Sequence, residues 1–209
     1  GHSMGALTAM VAAGHRPQSG MERRCRQALA DLPLTNLSRL LQCELVERGA
    51  LRSRSRIVTP AAVVGLNSLG SLIWPGQPSI TQPNPLLLIG GTLDLVTPPL
   101  DEQIGLLAAL GQHPASRVVV IEGASHFSPI RVGEPMAVRQ NDDLFQLGEE
   151  LVGMDPISVQ AVIGVEIINF LEAVAAGASG TESQHFNRGE VRWHRLNPET
   201  AADLSARHQ

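Results

Sequence analysis

The sequence predicts an α/β fold in which a parallel sheet is flanked by helices. Three short apolar runs predict strands, over residues 60–66, 85–89 and 117–121. Continuous apolar runs of this length are typical of strands that are buried on both faces of a parallel sheet. Helical patterns precede, separate and follow the three runs, as the connections of a parallel sheet require.

Helices can be placed around these strands in chain order. An Ala/Leu/Met run predicts a first helix over 4–14. Leucines and isoleucines at helical spacing predict another over 98–110, with Thr97 as its N-cap and Pro98 in its first turn. A closing helix is predicted over 157–176. The residues expected to face the sheet from the closing helix are Val159, Val162, Ile163, Ile167, Phe170 and Leu171.

The remaining segments are connections and a tail. Residues 20–50 predict one or two helices, either a cap over the site or an ordinary pair packed on the sheet. Residues 128–155 form an irregular excursion, and residues 177–209 are polar and lack apolar periodicity, which predicts a mobile tail. The domain is therefore expected to span 1–176. The apolar stripe expected in the 20–50 segment comprises Leu37, Leu40, Leu41 and Leu45.

The chain begins with Gly1-His2-Ser3-Met4-Gly5, a G-x-S-x-G pattern followed by a helix. Such a pattern places a serine on a sharp strand-to-helix turn, where its hydroxyl is exposed and the next amide can donate to an oxyanion. The flanking glycines leave room for close packing. A short match of this kind also fits a flexible Gly/Ser terminus, so its meaning depends on the rest of the chain.

Two further residues complete a catalytic pattern in the order Ser, acid, His. Asp94 follows the strand at 85–89, and His126 follows the strand at 117–121. Because the carboxyl ends of parallel strands lie at one edge of a sheet, these side chains are expected to meet Ser3 there. The sequence therefore predicts a Ser3–Asp94–His126 triad, with the Met4 amide as an oxyanion donor.

The elbow, the Gly-Gly-Thr-Leu-Asp-Leu-Val-Thr-Pro turn and the Glu-Gly-Ala-Ser-His-Phe loop together resemble an α/β-hydrolase. More narrowly, residues 1–175 resemble bacterial dienelactone-hydrolase-like proteins related to the platelet-activating-factor acetylhydrolases, with further support from 34–43 and 121–128. The resemblance implies the C-terminal part of an α/β-hydrolase fold. It implies a serine esterase acting on a carboxylic ester, lactone or thioester, and local packing of His2. His2 and Trp74 are also substrate-binding candidates.

One departure bears on the acid. The acetylhydrolases carry their acid after the preceding strand, and here that strand ends in Asn67, with no carboxylate nearby. The acid is therefore assigned to Asp94, with Glu122 as the next candidate, and phospholipid acetylhydrolase specificity is not transferred. An Asn67→Ala change is expected to matter much less than Asp94→Asn.

An elbow needs a preceding strand, and none precedes Gly1. We therefore expect the chain to be the C-terminal part of a longer protein, with the N-terminal strands missing. The second oxyanion donor is then expected from the loop after the third strand of the whole sheet, outside this chain. The chain alone is expected to be nearly inactive, since one lost donor costs about 10²–10³ in rate.

Composition limits the other function classes. The net charge of −4 and the pI near 6.0 give no case for nucleic acid. Cys25 and Cys43 are expected to be free thiols, no metal-ligand spacing occurs, and acyl-serine chemistry needs no cofactor. No run is expected to span a membrane, and a cytoplasmic location is favoured. An acyltransferase with the same triad and a non-catalytic hydrolase-like binding protein remain alternatives.

Overall fold

The computed structural model describes residues 1–30, 36–49, 59–76, 84–130, 153–178 and 182–208. Within them a five-stranded sheet has the order β1-β2-β3-β5-β4. β1 pairs with β2 and β2 with β3 in parallel, whereas β5 runs antiparallel to both β3 and β4. The α/β class is thus confirmed. The strands are β1 (Val63–Leu66), β2 (Leu86–Gly91), β3 (Arg117–Ile121), β4 (Gln184–Arg188) and β5 (Val191–Leu196).

The three predicted strands are confirmed as β1, β2 and β3, and they form the parallel part of the sheet. Every residue of β2 and of β3 is buried, as continuous apolar strands require. Alternate side chains enter different clusters: Leu86 and Leu88 join one, while Leu87 and Ile89 join the other. Both faces of the sheet are therefore covered at its parallel strands.

Helices supply the two covering layers. Helix α1 packs on β1, and a β-carbon added at Gly65 would lie 3.3 Å from Ala6, so the two elements approach closely. The cluster with Leu86 also receives residues from α2, α3, α4 and α6, and the opposite cluster receives α5. The helices are α1 (Met4–Ala12), α2 (Met21–Ala30), α3 (Ser38–Glu47), a π-helix (Leu100–Ile104), α4 (Gly105–Leu110), α5 (Pro156–Ala175) and α6 (Pro198–Ala206).

The expectation of a mobile tail over 177–209 is wrong for most of that segment. Strands β4 and β5 form a hairpin whose turn contains Gly189 at φ 62°, a conformation that hairpin turns require and glycine tolerates. Helix α6 follows, with the Asn197 side chain accepting from the Thr200 amide at 2.8 Å and with Pro198 in its first turn. The hairpin extends the sheet beyond β3, so these residues belong to the domain.

Two expectations about the 20–50 segment are also wrong. Cys25 and Cys43 form a disulfide that joins α2 to α3, with their Cα atoms 5.5 Å apart, rather than remaining free thiols. Leu40 and Leu41 are 43% and 37% exposed, so the predicted leucine stripe is not the buried face of α3. The buried residues of α3 are Ser38, Gln42 and Cys43.

Helix α5 confirms the predicted closing helix, and it gives no clear membrane span. Its 20 residues, at a mean hydropathy of 1.7, are long and apolar enough to cross a membrane by length and composition alone. A single helix of this kind is weak evidence, because the core helix of a soluble protein passes the same test. Here one side packs on the sheet through residues such as Phe170, while Leu171, expected on that side, is 46% exposed.

Candidate active site

Ser3 lies on a sharp turn between an extended segment and α1. The Gly1 carbonyl accepts from the Leu66 amide and the Ser3 amide donates to the Leu66 carbonyl, each at 2.8 Å, so residues 1–3 run beside β1 in parallel. Ser3 then takes φ 52°, a left-handed conformation that is strained for serine. A β-carbon added at Gly1 would lie 2.3 Å from the Gly5 carbonyl oxygen. A β-carbon added at Gly5 would have no atom of the described residues within 4 Å. Close approach therefore requires the first glycine only.

The structure brings the three predicted triad side chains together at the carboxyl end of the parallel strands. The Ser3 hydroxyl lies 3.1 Å from His126 Nε2, and His126 Nδ1 lies 2.9 Å from Asp94 Oδ2. The anionic carboxylate can only accept, so Nδ1 carries the proton and Nε2 presents its lone pair to the serine hydroxyl. This is the tautomer in which an imidazole can take the serine proton.

Asp94 is buried and densely hydrogen-bonded. Its Oδ1 accepts from the Val96 and Thr97 amides at 2.9 and 2.7 Å, and its Oδ2 accepts from the Thr97 hydroxyl and the Asn67 side-chain amide, both at 2.6 Å. Burial alone would raise the pKa of Asp94, but hydrogen bonds from His126 and Thr97 outweigh it and lower that pKa below its usual value. The acid therefore stays ionised beside the imidazole.

Backbone contact between the acid loop and the histidine loop sets this geometry. The Leu93 amide donates to the Ala124 carbonyl at 3.0 Å. A β-carbon at Gly91 would lie 2.0 Å from that same carbonyl oxygen, so the loops could not approach as they do with any other residue there. Gly91 thus lets the ends of β2 and β3 present Asp94 and His126 to each other.

His2 and Met4 flank the serine and have different surroundings. The His2 Nε2 donates to the His126 carbonyl at 2.8 Å, so His2 supports the histidine loop, and its role in substrate binding stays a prediction. Burial lowers the pKa of His2, which favours its neutral form. Met4 is the first residue of α1, so its amide lies ahead of the intrahelical hydrogen bonds, where an oxyanion donor is required.

An exposed apolar residue follows each triad residue in the sequence. Met4, Leu95 and Phe127 each follow a triad residue directly in sequence, and they are 37%, 58% and 39% exposed. The Phe127 ring meets the His126 ring edge-on, with centroids 5.2 Å apart. An apolar group of a substrate bound at Ser3 could therefore contact apolar side chains.

Trp74, Glu122 and Thr97 do not take the places that the sequence suggested. Trp74 is 1% exposed within the core cluster of α1, and its indole donates to the Arg16 carbonyl at 2.9 Å, so it does not line a surface at the triad. Glu122 binds Arg192 and His194 of the hairpin, not His126. Thr97 does not cap a helix; its hydroxyl donates to Asp94.

Sequence reasoning missed the supporting roles of Asn67 and Thr97, which both contact Asp94. The signal for Thr97 was its place three residues after the acid, where its amide can reach back to the carboxylate. Asn67 gave no such signal, because it reaches Asp94 from a different strand. No group of three metal-ligating side chains occurs in the described ranges. Comparisons with family models, with curated proteins and with solved structures found no match.

Proposed function

We propose that this protein is a serine hydrolase of the α/β-hydrolase type that cleaves a carboxylic ester through an acyl-serine intermediate. The observation that carries the proposal is the hydrogen-bonded series from Ser3 to His126 to Asp94, at 3.1 and 2.9 Å. A strained serine at a helix start, an imidazole in the accepting tautomer and an ionised acid are the parts that nucleophilic acyl transfer needs. The exposed Met4, Leu95 and Phe127 next to the triad residues favour an ester with an apolar group.

The reaction proceeds in two steps, which are acylation of Ser3 and hydrolysis of the acyl-serine. Ser3 Oγ attacks the ester carbonyl carbon while His126 Nε2 takes its proton, and the Met4 amide donates to the developing oxyanion. The bond from carbon to the alcohol oxygen then breaks, and the alcohol leaves with the proton from His126. Water attacks the acyl-serine with His126 again as the base, which releases the carboxylic acid and restores Ser3. Asp94 holds the imidazole and stabilises its charged form.

A fluorophosphonate probe and a p-nitrophenyl ester test the proposal directly. In the full-length protein, we expect the probe to label Ser3 and ester turnover to fall to background in Ser3→Ala. Ser205→Ala, on α6, is the matched control and should leave both unchanged. Labelling without hydrolysis, but with transfer to an added alcohol, would indicate an acyltransferase. Turnover that survives Ser3→Ala, or no labelling at all, would refute the proposal.

A further inference from the structure

Asn67 is a buried polar residue next to the triad, and the proposed reaction does not yet use it. It follows β1 directly and is 1% exposed. Its φ of 45° lies in the left-handed region, which asparagine tolerates better than most residues. The backbone conformation fixes the direction of the Cα–Cβ bond of Asn67, and the side-chain rotamer then places the amide.

The surroundings fix Asn67 from several sides. The backbone amide of Asn67 donates to the Ile89 carbonyl of β2 at 2.7 Å, and the Asn67 carbonyl oxygen lies 3.2 Å from the Thr97 hydroxyl oxygen, whose proton goes to Asp94. The next residue is held as well, because the Gln103 side chain donates to the Ser68 carbonyl at 2.8 Å. Asn67 is therefore a rigid donor rather than a mobile one.

Its side chain reaches the acid. Asn67 Nδ2 lies 2.6 Å from Asp94 Oδ2, which is also the carboxylate oxygen nearer to His126 Nδ1. The amide must face the carboxylate with its NH₂ group, because a carboxylate can only accept. The backbone amides of Val96 and Thr97 donate to the other oxygen, so both carboxylate oxygens of Asp94 accept hydrogen bonds.

We propose that Asn67 is a positioning residue of the triad, whose side-chain amide holds the plane of the Asp94 carboxylate so that Oδ2 accepts the hydrogen bond from His126 Nδ1–H. The inference rests on the proposed hydrolase function. Without this amide, Oδ2 keeps only the Thr97 hydroxyl and His126 Nδ1 as partners, so the carboxylate is held by fewer donors and orients the imidazole less firmly. The loss falls on kcat rather than on KM, because Asn67 acts on the acid and not on the substrate.

Two variants and one control test this role by ester turnover and thermal melting. Asn67→Gly removes the amide but keeps the left-handed backbone. We expect kcat to fall about ten- to a hundredfold, the rate equivalent of one hydrogen bond to a charged group. KM should stay within about twofold. Ser116→Ala, at the opposite end of the sheet, removes a buried acceptor of the Leu86 amide and should reduce Tm without reducing kcat.

Asn67→Asp keeps the shape of the side chain, and its effect on kcat should depend on pH. A purely structural role of Asn67 would not produce this pH dependence. A carboxyl at position 67 can donate to Asp94 only while protonated, and once ionised it repels Asp94. We therefore expect the ratio of wild-type to variant kcat to grow as the pH rises. His2, whose ring lies 5.0 Å from the His126 ring, is a further titratable side chain at this site and is present in both proteins.

The outcomes separate this inference from the function on which it rests. Turnover that survives Ser3→Ala overturns the hydrolase proposal and this inference with it. Turnover that needs Ser3 but stays within about twofold of wild type in Asn67→Gly overturns the positioning role alone. A loss of kcat in Asn67→Asp that does not change with pH also overturns the positioning role. If Asn67→Gly does not fold, this pH dependence is the deciding measurement.

Discussion

Replacing His15 with leucine should stabilise the protein, because His15 is buried without a partner. The residue is 2% exposed, and neither ring nitrogen has a hydrogen-bond partner among the described residues. Its ring lies edge-on to Trp74, with centroids 6.3 Å apart, within the core. An unsatisfied buried polar group costs about 1–3 kcal/mol, and leucine has similar bulk and no polar atom. We expect His15→Leu to raise the unfolding free energy at pH 8 by about 1–2 kcal/mol.

Acidification should widen the difference between the two proteins. Burial lowers the pKa of His15 in the folded state below its ordinary value of 6.5. Between 6.5 and the lower folded value, the unfolded chain binds a proton that the folded protein does not, so wild-type stability falls as the pH falls. The fall is at most about 1.4 kcal/mol per pH unit. His15→Leu has no such group at this position, so its advantage should be larger at pH 5.5 than at pH 8.

Urea unfolding of both proteins at the two pH values measures this effect. His208→Leu, an exposed change on the surface after α6, is the control and should leave both free energies unaltered. A variant that is no more stable than wild type at pH 8, or a difference that stays constant on acidification, would show that His15 finds a polar partner in solution.

Two other changes test the construction of the domain. Breaking the Cys25–Cys43 disulfide by reduction or by Cys25→Ser should lower Tm by roughly 6–12 °C. The reason is that a bridge over a sequence separation of 18 contributes about 3 kcal/mol to the unfolding free energy. An unchanged Tm would contradict the presence of the bridge. Gly91→Ala should lower kcat at least about tenfold, because the added β-carbon would lie 2.0 Å from the Ala124 carbonyl oxygen. Gly164→Ala is the control and should leave kcat unchanged, because the space around Gly164 is open. Wild-type turnover in Gly91→Ala would refute this account of the loops.

The geometry of the triad could be predicted because it depends on a rule about strand ends. Asp94 and His126 each follow a fully buried strand, and parallel strands end at one edge, so their meeting with Ser3 followed from chain order. The supporting contacts do not follow in this way. Asn67 and Asp94 are 27 residues apart, and their contact depends on the register of β1 against β2. The catalytic roles of these residues stay predictions.

The hairpin and α6 were missed although local signals were present. Val191 and Trp193 are buried on β5 and alternate with an exposed arginine, the period of a strand with one covered face. Gly189 supplies the turn, and Asn197-Pro198 is a helix start. The disulfide left no local signal, because its pairing depends on how α2 lies against α3.

The inverted face of α3 has a physical cause in Glu102, a fully buried carboxylate on the π-helix. Burial raises the pKa of Glu102, although hydrogen bonds from Ser38 and Ser71 oppose that rise. Such a group is stable in the core only where donors surround it. The Gln42 side chain donates at 3.0 Å and the Gly70 amide at 2.8 Å, in addition to the two serines. Helix α3 therefore turns Ser38 and Gln42 toward Glu102, and this orientation leaves Leu40 and Leu41 on the exposed side.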